Sequence, residues 1–385
     1  MTQPERPIQS DAEDVLARGP FVQRIVSALI DGKTKRATGV VIGITGPWGS
    51  GKSSVLNLLQ RAIKIAHPNA IVVRFDPWLI SNRDDLVASF IKELLAAITL
   101  QPTAKKRLKS VTTLFARYGK ALSPVGNLLV PGGAAVIQGA SSAIDAASSA
   151  RNSLTSLRAR LIGQLDQIHI PIVALIDELD RIEDREIRTV AQLIRSIADF
   201  RGMSYVLAYD TKRVVQALGE GVSIDSSDER ETRGRAYLEK IVQLQIPLPI
   251  TFGEELGTLL RAEIESFRDE INLPVEFEKS ERYGDISKIL ILDVLQTPRD
   301  VKRLVGTFHV LAGMLGNEVD LVDLLAYSAL LVKAPGTVDH IRNDPEDFVE
   351  DTLSEKAVLR QLNDKKAPLP DRLSRIVARS EDNQG

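Results

Sequence analysis

Through about residue 250, short runs of consecutive apolar residues alternate with stretches whose apolar positions recur at helical spacing. The first periodic segment, residues 21–30 (FVQRIVSALI), places Phe21, Val22, Ile25, Val26 and Leu29 on one face of a helix that packs on the core. Strands are predicted over about 39–45, 70–75 (AIVVRF), 171–176 (PIVALI) and 204–209 (SYVLAY), with a fifth suggested by 241–249 (IVQLQIPLP), and a helix over about 84–99. Continuous apolar strands separated by amphipathic helices predict an α/β fold, a mostly parallel sheet covered on both faces with its ligand at the carboxyl ends of the strands. Beyond Pro249 the pattern is helical throughout, and from about residue 363 it becomes polar. The expected organisation is a first half of the core in 1–100, a helical insertion in 101–165, the second half of the core in 166–250, a helical lid domain in 251–362 and a polar tail in 363–385.

At 385 residues the chain is long enough for a core and a second module, since domains run about 100–200 residues. Its 49 basic and 51 acidic side chains leave a formal charge of −2, so no net positive field draws the whole chain onto nucleic acid. Cysteine is absent, which excludes disulfides and thiolate metal sites and agrees with a reducing compartment. The early acidic residues Glu5, Asp11, Glu13 and Asp14 do not make a secretory signal, and the expected location is cytoplasmic.

The candidate chemistry sits at two strand ends. Residues 46–53 read GPWGSGKS, a P-loop between an apolar strand and a helix-like segment. Gly46, Gly49 and Gly51 let backbone N–H groups turn toward phosphate oxygens, with Pro47, Trp48, Ser50 and Ser54 completing the loop and helix start. The following helix begins at the same point and favours an anion there. Lys52 is expected to neutralise the terminal phosphates, and Ser53 to help hold Mg²⁺.

Asp177 closes the apolar run 171–176, where a carboxylate binds Mg²⁺ through water opposite the P-loop serine. Glu178 follows directly and is the candidate general base. Asp210, at the tip of the next strand, is read either as a polar sensor of the phosphates or as the N-cap of the segment TKRVVQAL; the two roles are compatible. Arg299, in TPRDVKRL, is read either as a cation for the γ-phosphate or as a surface arginine, and Arg181 is a second candidate for charge stabilisation. No glycine follows Asp177 as a switch loop would need, and no Asn-Lys-x-Asp guanine reader occurs, so ATP is the expected nucleotide.

Beyond these elements, the chain resembles the KAP family of P-loop NTPases. The resemblance rests on GPWGSGKSS at 46–54, FDPWLIS at 75–81, LIDELDRIED at 175–184, YVLAYD at 205–210, YLEKIVQLQIPLP at 237–249 and TPRDVKRL at 297–304, and runs from about Ile8 to about Phe348. It implies a five-stranded core with an additional strand between the two Walker strands, and an ATP-driven regulatory or signalling role; many members are associated with phage exclusion. The family's second Walker motif more often carries two aspartates where this chain has Asp177-Glu178, a departure that retains a carboxylate and suits hydrolysis.

The interval 101–165 is too long for a plain connection. Leu122–Ile144 has no charged residue, yet Pro124, Pro131, Gly132, Gly133, Asn127 and Gln138 interrupt it, which argues against a membrane span. Upstream, Lys105, Lys106, Arg107, Lys109, Arg117 and Lys120 surround Leu108, Val111, Phe115 and Tyr118 as in a basic amphipathic helix. A solvated helical hairpin beside the core is the favoured reading, with contact to a membrane surface, to DNA or to a protein partner as alternatives. Three functions follow: an ATPase switch acting with a protein partner or a homo-oligomer, an ATP-dependent DNA-handling subunit in which Arg230, Arg233 and Arg235 act across a subunit boundary, and a nucleotide-stabilised scaffold with little hydrolysis.

Overall fold

The computed structural model describes residues 6–80, 86–100, 109–126, 155–165, 167, 170–197, 202–220, 226–315, 318–345 and 348. The described residues within 7–249 form one compact unit and those from Ile250 onward belong to a second.

The first unit is an α/β layer structure. Its strands are β1 (Val41–Thr45), β2 (Ile71–Phe75), β3 (Ile172–Ile176), β4 (Met203–Tyr209) and β5 (Leu244–Pro247). They pair in the order β2-β3-β4-β1-β5, all in parallel. Thus β4 lies between the P-loop strand β1 and the acidic strand β3, as the resemblance implied. The helices are α1 (Gly19–Leu29), α2 (Lys52–Ala66), α3 (Leu86–Thr99), α4 (Lys109–Gly126), α5 (155–165), α6 (Asp184–Ile197), α7 (Thr211–Gly219) and α8 (Ser227–Glu239).

Both faces of the sheet are buried, which is why its strands read as unbroken apolar runs rather than alternating ones. In β3, Ile172, Ala174 and Ile176 join a core shared with α3, α4 and α6, while Val173 and Leu175 join one shared with α1 and α2. The predicted face of α1 is in place: Val22, Ile25, Val26 and Leu29 are buried and Phe21 packs against them. In α4, Val111, Phe115 and Tyr118 are buried in the first of these cores. The apolar face of the basic amphipathic segment is therefore spent on the fold along these turns, and Arg117 is exposed. Most of Leu122–Ile144 and the basic residues 105–107 lie outside the described residues.

The second unit is helical: α9 (Gly253–Glu265), α10 (Glu281–Ile289), a π turn at Leu290–Val294, α11 (Pro298–Leu315), α12 (Leu321–Lys333) and α13 (Pro335–Asn343). Leu260, Ile264, Val301, Leu304, Phe308 and Leu325 fill its core. Among the described residues no single helix is long and apolar enough to cross a membrane. The bent pair α12–α13 passes by length and composition alone, but α12 places Val322, Leu324, Leu325 and Ala329 in the helical core.

Candidate nucleotide site

The parallel sheet brings the ends of β1, β3 and β4 to one edge. Gly46 N–H donates to the Tyr209 carbonyl at 3.3 Å, which ties the start of the loop to the end of β4. From there the chain turns through Gly49 (φ 84°) and Gly51 (φ 93°) into α2. Both values lie in the left-handed region, where a Cβ is strained; at Gly51 a Cβ would also meet the Arg18 guanidinium at 2.4 Å. Gly51 is the N-cap of α2 and caps it with no side-chain hydrogen bond. The first amides of a helix have no intrahelical acceptor, so this terminus is suited to an anion.

Lys52 is buried at the first position of α2. Its Nζ donates to the Gly46 carbonyl at 2.9 Å and the Pro47 carbonyl at 3.3 Å, and pairs with Asp180 at 3.4 Å. The hydroxyl of Ser50 is buried without a hydrogen-bond partner and faces Gly46, where an added Cβ would lie 2.7 Å from it. An orphaned buried hydroxyl inside a glycine-lined loop fits a site that takes an oxygen-rich group. Trp48 is 57% exposed at the loop tip, and the Ser54 hydroxyl accepts the Ile8 N–H at 3.3 Å.

Asp177 ends β3 with its carboxylate buried. Its Oδ1 accepts the Glu178 N–H at 2.9 Å, its Oδ2 accepts from Arg74 Nη2 at 2.5 Å, and Ser53 borders the same cavity. Burial pushes the Asp177 pKa up, while Arg74, Ser53 and the Glu178 amide favour the charged form. Glu178 adopts the left-handed conformation (φ 55°), a strained geometry for a residue with a side chain, and its carboxylate pairs with Arg181 Nη1 at 2.9 Å. Burial raises its pKa as well, against Arg181 and with the help of the neighbouring Asp177 charge, in the direction a proton acceptor needs.

Ser53 and Asp177 therefore present a hydroxyl and a carboxylate to one cavity, the donor set expected for a hard divalent cation completed by water and phosphate oxygens. Among the described residues no group of three or more His, Asp or Glu side chains could hold a metal alone.

Asp210 accepts the Arg213 N–H at 3.2 Å and so caps α7. Its side chain also borders a cavity of about 450 Å³ with Trp48, Trp78, Asp180, Arg181 and Arg213. Lys52, Ser53, Asp177, Glu178 and Asp210 thus come together within the first unit. Arg299 belongs to the second unit, in the first turn of α11.

Three participants escape the sequence motifs, and a fourth, Asp180, stands in one without a role assigned to it. Arg18, only 6% exposed at the N-cap of α1, donates to the carbonyls of Ser50 at 2.9 Å and Gly51 at 3.4 Å and braces the loop from behind. Arg74 donates to Asp177 and to Asn57, and Asp180 pairs with Lys52. Only Asp180 carried a usable signal, its place in the acidic run Asp177-Glu178-Leu179-Asp180.

A P-loop at the end of β1, facing an acidic β3 across an intervening β4, defines a P-loop NTPase. The KAP family P-loop domain matches residues 18–315, and the chain belongs to that family. It is 25% identical over 346 residues to a phage T7 exclusion protein of Escherichia coli K12, covering 83% of this chain but 44% of the relative, so it spans less than half of that protein's length. Among solved structures it is similar to the ORC2 protein of Aeropyrum pernix (13% identity, 95% of this chain and 81% of that one, TM-score 0.40). It is also similar to domain III of the Thermotoga maritima replication initiation protein DnaA (14% identity, 86% and 97%, TM-score 0.38).

Proposed function

We propose that this chain binds ATP with Mg²⁺ and hydrolyses it slowly as a regulatory switch, and that the switch serves phage exclusion. The observation that carries the chemical reading is that Ser53, in the first turn of the P-loop helix, and Asp177, at the acidic strand end, border one cavity. Ser53 and Asp177 would hold the cation, which when bound neutralises charge on the phosphates. Lys52, released from the Gly46 and Pro47 carbonyls, meets the terminal phosphates. Glu178 orients and deprotonates the attacking water once it leaves Arg181. Phage exclusion is supported by the relative's name, and a switch role by the family resemblance.

ATP turnover by the purified chain with Mg²⁺, compared with Lys52→Ala, Glu178→Gln and Arg299→Ala and repeated with DNA, tests this reading. Hydrolysis lost in Lys52→Ala and Glu178→Gln, with nucleotide still bound by Glu178→Gln, supports it. Tight binding without turnover in the wild type under every condition supports a scaffold instead. Strong salt-sensitive stimulation by DNA supports the DNA-handling alternative.

A further inference from the structure

Edge strand β2 delivers a cation into the acidic side of the site. In the β2–β3 register Arg74 stands beside Leu175, two positions before Asp177. Its guanidinium is held three ways: Nη2 to Asp177 Oδ2 at 2.5 Å, Nε to Asp76 Oδ1 at 3.2 Å and Nη1 to Asn57 Oδ1 at 3.2 Å. Asn57 passes the connection on, donating to the Ile8 carbonyl at 2.9 Å. Arg74, Asp76, Asn57, Ser53, Asp177 and Glu178 all border a single cavity of about 410 Å³.

The Asp177 side chain is 2% exposed. A carboxylate so far from water needs a cation or a full set of donors, and a planar guanidinium supplies both. A divalent cation held by Ser53 and Asp177 would meet the same need, and two cations against one buried carboxylate repel each other.

We propose that Arg74 is a positioning residue that occupies Asp177 in the metal-free protein and is exchanged for Mg²⁺ when metal and nucleotide bind. The exchange has a destination already built, because Asp76 and Asn57 hold the other two guanidinium nitrogens and keep the side chain when Asp177 lets go. Arg74 thereby orders the site before the metal binds and sets how much Mg²⁺ is needed to displace it. This inference rests on Asp177 being the metal carboxylate.

The test is a Mg²⁺ titration of the full chain at fixed saturating ADP, reading melting temperature and tryptophan fluorescence for wild type, Arg74→Gln and Arg74→Lys. Arg74→Gln is expected to melt lower without metal and to reach half-saturation at a Mg²⁺ concentration lower by about fivefold or more, because the competing charge is gone. Arg74→Lys, which keeps the charge and loses the fork, is expected to fall between the two, and carries the test if Arg74→Gln does not fold. An unchanged or raised Mg²⁺ requirement in the variant that folds overturns the exchange. If wild type binds ADP with no response to Mg²⁺ at all, the assignment of Asp177 to the metal fails first and the Arg74 role falls with it.

Discussion

The ammonium of Lys52 lies 3.4 Å from Asp180, the fourth residue of the acidic run, and not against Asp177; the two side chains are 8% and 9% exposed. The P-loop lysine is thus neutralised internally, and a phosphate must compete with Asp180 for it. Asp180→Asn is expected to lower the melting temperature of the free protein, since it leaves a nearly buried ammonium with carbonyl partners alone. Nucleotide affinity should hold or tighten by about threefold, because the competing contact is gone. Lys52→Ala should weaken it by about 100-fold or more. Titration with a fluorescent ATP analogue measures both, and an Asp180→Asn protein that binds much more weakly would give Asp180 a direct part in nucleotide contact.

Glu178→Gln keeps size and hydrogen-bonding capacity but cannot take a proton. Turnover is expected to fall by about 10²- to 10⁴-fold with little change in ATP affinity. The two quantities come from single-turnover and equilibrium binding measurements on the same preparation. A turnover loss below about tenfold would move the base elsewhere.

Packing behind the site depends on two small residues. A Cβ on Gly234 of α8 would lie 2.0 Å from the Val215 carbonyl oxygen, and one on Gly219 of α7 would lie 1.9 Å from that of Arg230. Backbone cannot yield as a flexible side chain does, so Gly234→Ala must push α7 and α8 apart. The expected loss is about 1–3 kcal/mol despite the better helix propensity of alanine, read by denaturant unfolding. A neutral or stabilising result would mean that the helices do not pack at this separation.

In the helical unit, Thr297 and Asp300 form a reciprocal cap on α11: Asp300 N–H donates to Thr297 Oγ1 at 3.3 Å and Thr297 N–H to Asp300 Oδ2 at 2.9 Å. Lys333 Nζ adds an ion pair at 2.8 Å. Burial acts to raise the Asp300 pKa, but Lys333 and the backbone N–H donors outweigh it and the net shift is downward. A carboxyl whose folded pKa is depressed adds stability above its unfolded pKa and loses it as pH falls through the folded value. Asp300→Ala should therefore destabilise this unit by about 1–2 kcal/mol at neutral pH. The difference from wild type should shrink below about pH 4 in thermal melts, where the wild-type carboxyl also protonates.

Much of the architecture was legible in the chain because its strands are buried on both faces. The predicted runs 70–75, 171–176 and 204–209 match β2, β3 and β4 to within a residue at either end. The fifth run was the loosest: 241–249 contracts to Leu244–Pro247, an edge strand with exposed positions, where the burial that writes a strand into a sequence is incomplete.

By itself the sequence determined the loop, the carboxylates at the end of β3 and the strand–helix alternation, because each depends on residues adjacent in the chain: glycines that turn, a lysine and serine that open a helix, an acid that closes an apolar run. Only the tertiary structure decided what those groups touch. Arg74 and Asp177 are 103 positions apart, and Arg18 and Ser50 are 32 apart. They meet because β2 pairs with β3 in one register and α1 packs beside α2. An arginine on a strand or at a helix start carries no local mark of its partner. The partner is selected by which buried carboxylate or carbonyl needs a donor once the sheet has formed, and that need exists only in the folded chain.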